Sequence, residues 1–244
     1  IGHRAAVALS HGDSSGTVAI GVLALEAANG AHARNLAIGY YAGNAITTGG
    51  SNTAIGYEAM KVHTTGDKNI AIGYGAMDDT DAGSTSLGST RNIFMGYDAG
   101  GGTWADAASS NNVAIGHYTM DAAMNGATHN TVIGDNAASS LTTGDNNVML
   151  GSGAADGVTT GADNVFIGMD AGNGTTDVDK TVIIGKQAAQ ADMTSDADGT
   201  IAVGYKAGQA LTEGQYNVLI GYEAGSTITT SDRNVAIGYQ ALHD

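Results

Sequence analysis

Short bursts of alternating apolar residues recur along the chain, and each burst ends at a glycine. One residue before this glycine a large aliphatic side chain stands in every copy, from Ile1 to Ile237. Three residues before it the chain mostly carries Val, Ile, Leu or Thr. Side chains two positions apart share one face of a strand, and β-branched residues suit a pleated, half-buried surface. We therefore predict a short β-strand in each burst, with these two columns as its core face.

The glycine that ends each burst recurs at a nearly constant interval, which indicates a repeat architecture. Seven of the thirteen intervals are 17 residues, and the others run from 18 to 23. Units this short cannot close a core alone, so stacked neighbours must bury a continuous one. The period-2 apolar signal disfavours helices. We predict an all-β parallel solenoid, or β-roll, of about 14 coils of about 17 residues, with residues 1–244 as a single repeat domain.

Two columns of the repeat point to structural roles. The glycine has no exception, which suggests a positive φ or a crowded corner that only glycine tolerates. Four residues before it, Asn stands in ten of thirteen complete copies, and stacking would align these carboxamides in a ladder. Asn also tolerates the turn that must precede a strand. The structural repeat positions therefore include Gly39, Gly56, Gly73, Gly168, Gly221, Gly238, Asn35, Asn52, Asn69, Asn164, Asn217 and Asn234.

The column two residues before the glycine has the opposite parity to the predicted core face, yet no polar residue occupies it. It is Ala in many copies and becomes bulky at Val132, Met149, Phe166 and Ile183. A strand face in contact with water would carry polar residues. We therefore expect this column to be buried against another chain, with these four residues as interface candidates. Tyr follows the glycine in seven other copies, and we expect it to balance their volume at the same interface.

Composition narrows the class of protein. The chain has 38 Gly among 244 residues, no Pro and 42% hydrophobic residues, which argues against both collagen and disorder. A net charge of −15 repels phosphate backbones, so no nucleic-acid partner is expected. No apolar run reaches the length of a membrane span, so no membrane insertion is expected. Because Ile1-Gly2 reads as the middle of a repeat, we expect a fragment of a longer fibre.

No catalytic constellation is apparent, so we do not expect an enzyme. The seven His fall at different repeat positions without metal-ligand spacing. Asp clusters at 177–179 and 192–198 leave Ca²⁺ binding open, because this ion prefers several oxygen ligands. No other cofactor is expected.

Two long intervals contain insertions, at 78–91 and 100–111. Insertions in solenoids map to loops and often to the binding face. The second contains the only Trp, and an exposed Trp suits contact with a sugar or receptor. We predict a receptor-contact loop; the alternative is that the Trp packs the longer loop onto the stack. The loop residues are Trp104, Asp78, Asp79, Asp81 and Arg91.

The recurring string Asn-Val-Ala-Ile-Gly resembles the repeat of trimeric autotransporter adhesin heads of the YadA type. The longer form in residues 52–59, followed by a Thr-Thr-Gly turn, is similar to repeats of phage tail fibres. The resemblance covers essentially the whole chain. It implies a left-handed roll that forms a homotrimer, located outside the cell on a virion or on a bacterial surface.

The expected function is therefore that of a structural and adhesive segment, most simply part of a trimeric phage tail fibre that mediates host attachment. Its partners would be two further copies of itself and a host cell-surface glycan or receptor. The head of a bacterial trimeric surface adhesin is the alternative. A third candidate is an ice-binding solenoid with a regular array of Thr, although the Thr pairs here lie in turns of variable length.

Overall fold

The computed structural model describes residues 1–6, 16–28, 34–80 and 88–243, which belong to two compact units, Ile1–Thr128 and His129–Asp244. Within each unit, every strand pairs in parallel with the next strand along the chain. The chain is thus an all-β parallel solenoid, as the sequence predicts. The described residues contain 13 strands: β1 (Val18–Ile20), β2 (Leu36–Ile38), β3 (Thr53–Ile55), β4 (Ile70–Ile72), β5 (Ile93–Met95) and β6 (Val113–Ile115) in the first unit, and β7 (Thr131–Ile133), β8 (Val148–Leu150), β9 (Val165–Ile167), β10 (Val182–Ile184), β11 (Ile201–Val203), β12 (Val218–Ile220) and β13 (Val235–Ile237) in the second.

The repeat glycine forms a corner directly after each strand. Gly56 has φ +140°, a conformation that side chains with a Cβ rarely adopt. A Cβ on Gly56 would also lie 2.1 Å from the carbonyl oxygen of Gly73 in the next coil. Backbone conformation and stacking distance therefore both require glycine at this position.

After the corner, each coil continues to bond to its neighbours without forming a regular strand. In the coil of Gly56, the amide of Glu58 donates to the carbonyl of Tyr40 at 2.8 Å, and that of Met60 donates to Ala76 at 3.0 Å. Glu58, Met60 and Lys68 have φ of 57°, 52° and 60°. Each such left-handed residue costs roughly 1–2 kcal/mol, which the ladder of hydrogen bonds offsets.

The predicted orientation of the strands is wrong, because their middle residues point inward. Ala54 in β3 is 1% exposed, whereas Thr53 and Ile55 on either side of it are half-exposed. A shift of one residue moves every side chain of a strand to the opposite face. The four proposed interface residues are core residues of their own chain, so they are not available to a partner. These corrected positions are Val132, Met149, Phe166 and Ile183, each 0% exposed.

In several coils, side-chain volume is balanced between the middle strand residue and the fourth residue after the glycine, although Ala37 with Gly43 and Ala202 with Gly208 are exceptions. Ala54 is combined with Met60, whereas Phe166 is combined with Gly172. A Cβ on Gly172 would lie 2.3 Å from Cε1 of Phe166. The expected balance between this column and the Tyr residues is wrong, since the Tyr rings of the first unit lie on the outside.

Candidate functional site

A ladder of buried Asn side chains lies at the entrance to the strands. The side-chain oxygen of Asn52 accepts the backbone N–H of Asn69 in the next coil at 2.8 Å, and its Nδ2 donates to the carbonyl of Gly66, also at 2.8 Å. Thr181 keeps part of this arrangement, because its backbone N–H and hydroxyl both donate to Oδ1 of Asn164. These bonds satisfy polar groups inside the stack, so the ladder is a structural element.

The outward side of the strands carries two columns of apolar side chains, one and three residues before each glycine. We call this surface the aliphatic face. Its members are half-exposed in most coils, such as Ile55 and Ile72, and Ile133 reaches 42% exposure. Ser51 and Lys68, which precede Asn52 and Asn69 in the sequence, are exposed. The aliphatic face is therefore a continuous apolar band within each unit, bordered by polar residues.

The beginnings of the turn segments carry Thr side chains that take part in the stack. Thr142 Oγ1 donates to the carbonyl of Thr159 at 3.0 Å, and Thr159 Oγ1 donates to that of Thr176 at 3.3 Å. Thr47 and Thr212 make the same contact with the coil that follows each of them. Because these hydroxyls already bond to protein, the arrangement does not favour an ice-binding array.

Exposed Tyr rings stack on one another directly after the glycine corner. In the first unit, Tyr40, Tyr57, Tyr74 and Tyr97 have successive ring centroids 5.2, 5.0 and 5.0 Å apart and interplanar angles of 15°, 4° and 6°. We call this set the first Tyr ladder. The second Tyr ladder contains Tyr205, Tyr222 and Tyr239, with centroids 5.0 and 5.3 Å apart. The recurring Tyr is visible in the sequence, but the prediction that it shares an interface with the middle strand residues is wrong.

The residues of the predicted receptor-contact loop do not all lie on the surface. Trp104 is 0% exposed, and its indole N–H donates to the carbonyl of Gly100 at 2.9 Å. The prediction of an exposed Trp is therefore wrong, and the alternative in which it packs the loop onto the stack is correct. The Trp104 amide donates to the carbonyl of Asp79 at 3.0 Å, which joins the two inserted segments. Arg91 is exposed at the turn before β5, and Asp81 lies outside the described residues.

Carboxylates near the insertions are partly removed from water. Burial, followed by the charges of Asp98, Asp79 and Glu58, raises the pKa of Asp78 to about 6. Burial and the charge of Asp98 raise the pKa of Asp121 to about 6. Both pKa shifts therefore arise first from removal of the carboxylate from water and second from neighbouring negative charges.

The clusters considered for Ca²⁺ take part in contacts between coils. Asp177 accepts the amide of Ser195, Asp179 accepts that of Ala162, and Asp198 accepts that of Asp179, at 2.9, 2.8 and 2.7 Å. Within the part of the chain that the structure describes, no group of three His, Cys, Asp or Glu is placed to hold a metal ion. Asp177, Asp179 and Asp198 thus stabilise contacts between neighbouring coils.

Comparison of the chain with protein-family models, curated proteins and solved structures found no match. None of the described residues forms a helix long and apolar enough to cross a membrane.

Proposed function

We propose that this chain is a structural and adhesive segment of an extracellular fibre, in which copies associate through the aliphatic face. The observation that carries the proposal is the outward apolar band, since each described coil keeps aliphatic or Thr side chains on a surface that its own chain leaves half-open.

Parallel sheets are normally covered on both faces. Here the inner face is covered by the remainder of each coil, whereas the described residues leave the aliphatic face half-exposed. Contiguous apolar bands of this kind mark interfaces between proteins. A second copy offers the same band with the same spacing between coils, and symmetric association of identical chains is the usual form of soluble oligomers.

The number of copies and the handedness rest on the resemblance to YadA-type heads and tail fibres, which favours a left-handed homotrimer. A stack in which each coil contacts its neighbours suits an elongated spacer. The longer repeat, most often 17 residues, favours a phage tail fibre on the virion that mediates host attachment. The head of a bacterial surface adhesin is the second candidate, because its shorter repeats share the same core motif.

The assembly is tested by sedimentation equilibrium at micromolar concentrations. Wild type is expected to sediment as a trimer, and the double variant Ile55→Asp/Ile72→Asp as a monomer with an unchanged circular dichroism spectrum. Thr65→Asp is the matched control, because Thr65 is exposed in a turn away from the aliphatic face. A monomeric wild type, or an equal loss of assembly in the control, would contradict the proposal.

Adhesion requires its own measurement, because assembly does not prove attachment. The labelled protein is expected to bind a defined glycan on an array or a restricted set of bacterial strains. The buried Trp104 moves the expected contact to exposed positions such as Arg91. Absence of binding to all glycans and cells would leave a spacer as the only role, and measurable thermal hysteresis would instead support ice binding.

A further inference from the structure

The first Tyr ladder brings four oxidisable phenols into one row on the surface. Its rings are 39–48% exposed and nearly parallel, with interplanar angles of 15° or less. Because neighbouring rings are almost parallel, equivalent carbons of two rings are separated by about the same distance as their centroids, which is 5.0 Å for Tyr57–Tyr74 and for Tyr74–Tyr97. Small rotations of these exposed side chains would bring their ortho carbons into contact.

Carboxylates lie beside the same phenols and provide local proton acceptors. Desolvation and the charge of Glu58 raise the pKa of Tyr57, while the charge of Asp98 is the largest cause that raises the pKa of Tyr97. Tyr57 and Tyr97 are therefore protonated at neutral pH, so loss of an electron must be accompanied by loss of a proton. A neighbouring carboxylate is suited to accept that proton.

We propose that the first Tyr ladder is a site of oxidative cross-linking, where successive coils of one chain become joined by dityrosine bonds. The co-reactant is a one-electron oxidant, such as a peroxidase intermediate or a photo-generated metal complex. The proposal concerns contacts within a single chain, so it holds whether or not copies of the chain associate.

The reaction balances as follows in atoms and electrons. Each of two neighbouring phenols gives one electron to the oxidant and its hydroxyl proton to a carboxylate or to water. The two phenoxyl radicals form a carbon–carbon bond between their ortho positions, and the hydrogens on those carbons then move to the oxygens. The net change is the loss of two electrons and two protons, so the product is lighter by two hydrogen atoms.

The positions of Lys and Arg make the predicted links easy to identify. Trypsin cleaves after Lys61, Lys68 and Arg91, so Tyr57, Tyr74 and Tyr97 fall in three different peptides, 35–61, 69–91 and 92–180. Dilute protein is to be oxidised with ruthenium tris-bipyridyl, persulfate and light. We expect blue dityrosine fluorescence, a monomeric band in denaturing gels, and linked peptides 35–61/69–91 and 69–91/92–180.

Tyr74→Phe keeps an aromatic ring in the stack but cannot form a phenoxyl radical, so it should abolish both links between peptides. The matched control is Tyr216→Phe. Tyr216 is 54% exposed, and no ring stacks on it among the described residues; this variant should leave both links unchanged. Absence of dityrosine, links only between different chains, or equal use of Tyr216 would each overturn the proposal.

Discussion

The balance between Phe166 and Gly172 gives a quantitative prediction about the interior of the coil. In Gly172→Ala, the added methyl would lie 2.3 Å from the Phe166 ring at a φ of +61°. Overpacking costs about 1–3 kcal/mol, and the left-handed conformation adds about 1–2 kcal/mol, so we expect a total loss of about 2–5 kcal/mol. Gly43→Ala is the matched control: its φ is +57°, but the nearest atoms are the flexible ends of Ile46 and Leu25, at 3.0 and 3.1 Å. Only the conformational loss of about 1–2 kcal/mol is expected there.

A compensating pair of substitutions makes the test sharper. Phe166→Ala alone should lose about 3–5 kcal/mol by leaving a cavity. Phe166→Ala/Gly172→Met recreates the combination of Ala54 and Met60 found in the first unit. Met returns four of the six heavy atoms that the first substitution removes. The two missing atoms cost about 1.6 kcal/mol at about 0.8 kcal/mol per buried methylene, and the left-handed conformation adds about 1–2 kcal/mol, so the double variant should lose about 2.6–3.6 kcal/mol. The coupling energy should exceed about 2 kcal/mol.

Hydrogen exchange of the amides in β9 and β10 is the primary assay, because long repeat arrays do not always unfold in one cooperative step. Guanidinium unfolding followed by circular dichroism gives the supporting value. Strictly additive losses in the double variant, or equal losses in Gly172→Ala and Gly43→Ala, would refute the idea that the two columns share one interior volume.

Substitutions at four further positions test separate features of the coil. Burial lowers the pKa of His63 to about 4. The neutral imidazole therefore contributes fully to stability above pH 6.5, and the free energy of unfolding should fall by about 3 kcal/mol as the pH drops toward 4. His63→Ile should remove this pH dependence in acid-unfolding curves. Trp104→Ala should lower the free energy of unfolding by about 3–5 kcal/mol, with the intrinsic Trp fluorescence of the wild type as a burial control. Asn147→Ala leaves the carbonyl of Gly161 and the amide of Asn164 without their partner and should lose about 1–3 kcal/mol, whereas Asn147→Thr should lose less in the same thermal melts. Lys68→Asn relieves a left-handed Lys and should gain up to about 1 kcal/mol, whereas Lys68→Val should lose at least as much, and reversed signs would contradict that reasoning.

The repeat and its strands are predictable because every copy carries the same apolar pattern before a glycine. β3 coincides with the apolar triplet in front of Gly56, and the same relation holds for all thirteen described strands. The glycine corner was also accessible, since an invariant Gly points to a conformation or a close approach that other residues cannot satisfy. In Gly56 both reasons apply at once.

Other features had no local signal. Glu58, Met60 and Lys68 adopt positive φ, although none of these residue types favours that region. Hydrogen bonds to neighbouring coils impose the conformation, so it appears only when the stack is assembled. The burial of Trp104 also had no local signal, because a long loop beside a small interior can fold its largest side chain inward.

The parity of the strands was the most consequential error, and the sequence did contain a discriminating feature. The inner and outer columns are both apolar, so hydrophobicity cannot tell them apart, and side-chain size favours the larger residues such as Ile55 as core. Asn52, Ala54 and Gly56 lie at alternate positions and therefore on the same side of the strand. An Asn that recurs at the same position of the repeat needs enclosed surroundings with hydrogen-bond partners more than an Ile needs burial. In β3 the small Ala54 lies inside and the branched Ile55 outside, whereas β9 places the larger Phe166 inside. The outer columns remain half-exposed in the described coils, so association of copies is expected to involve Ile55 and its equivalents.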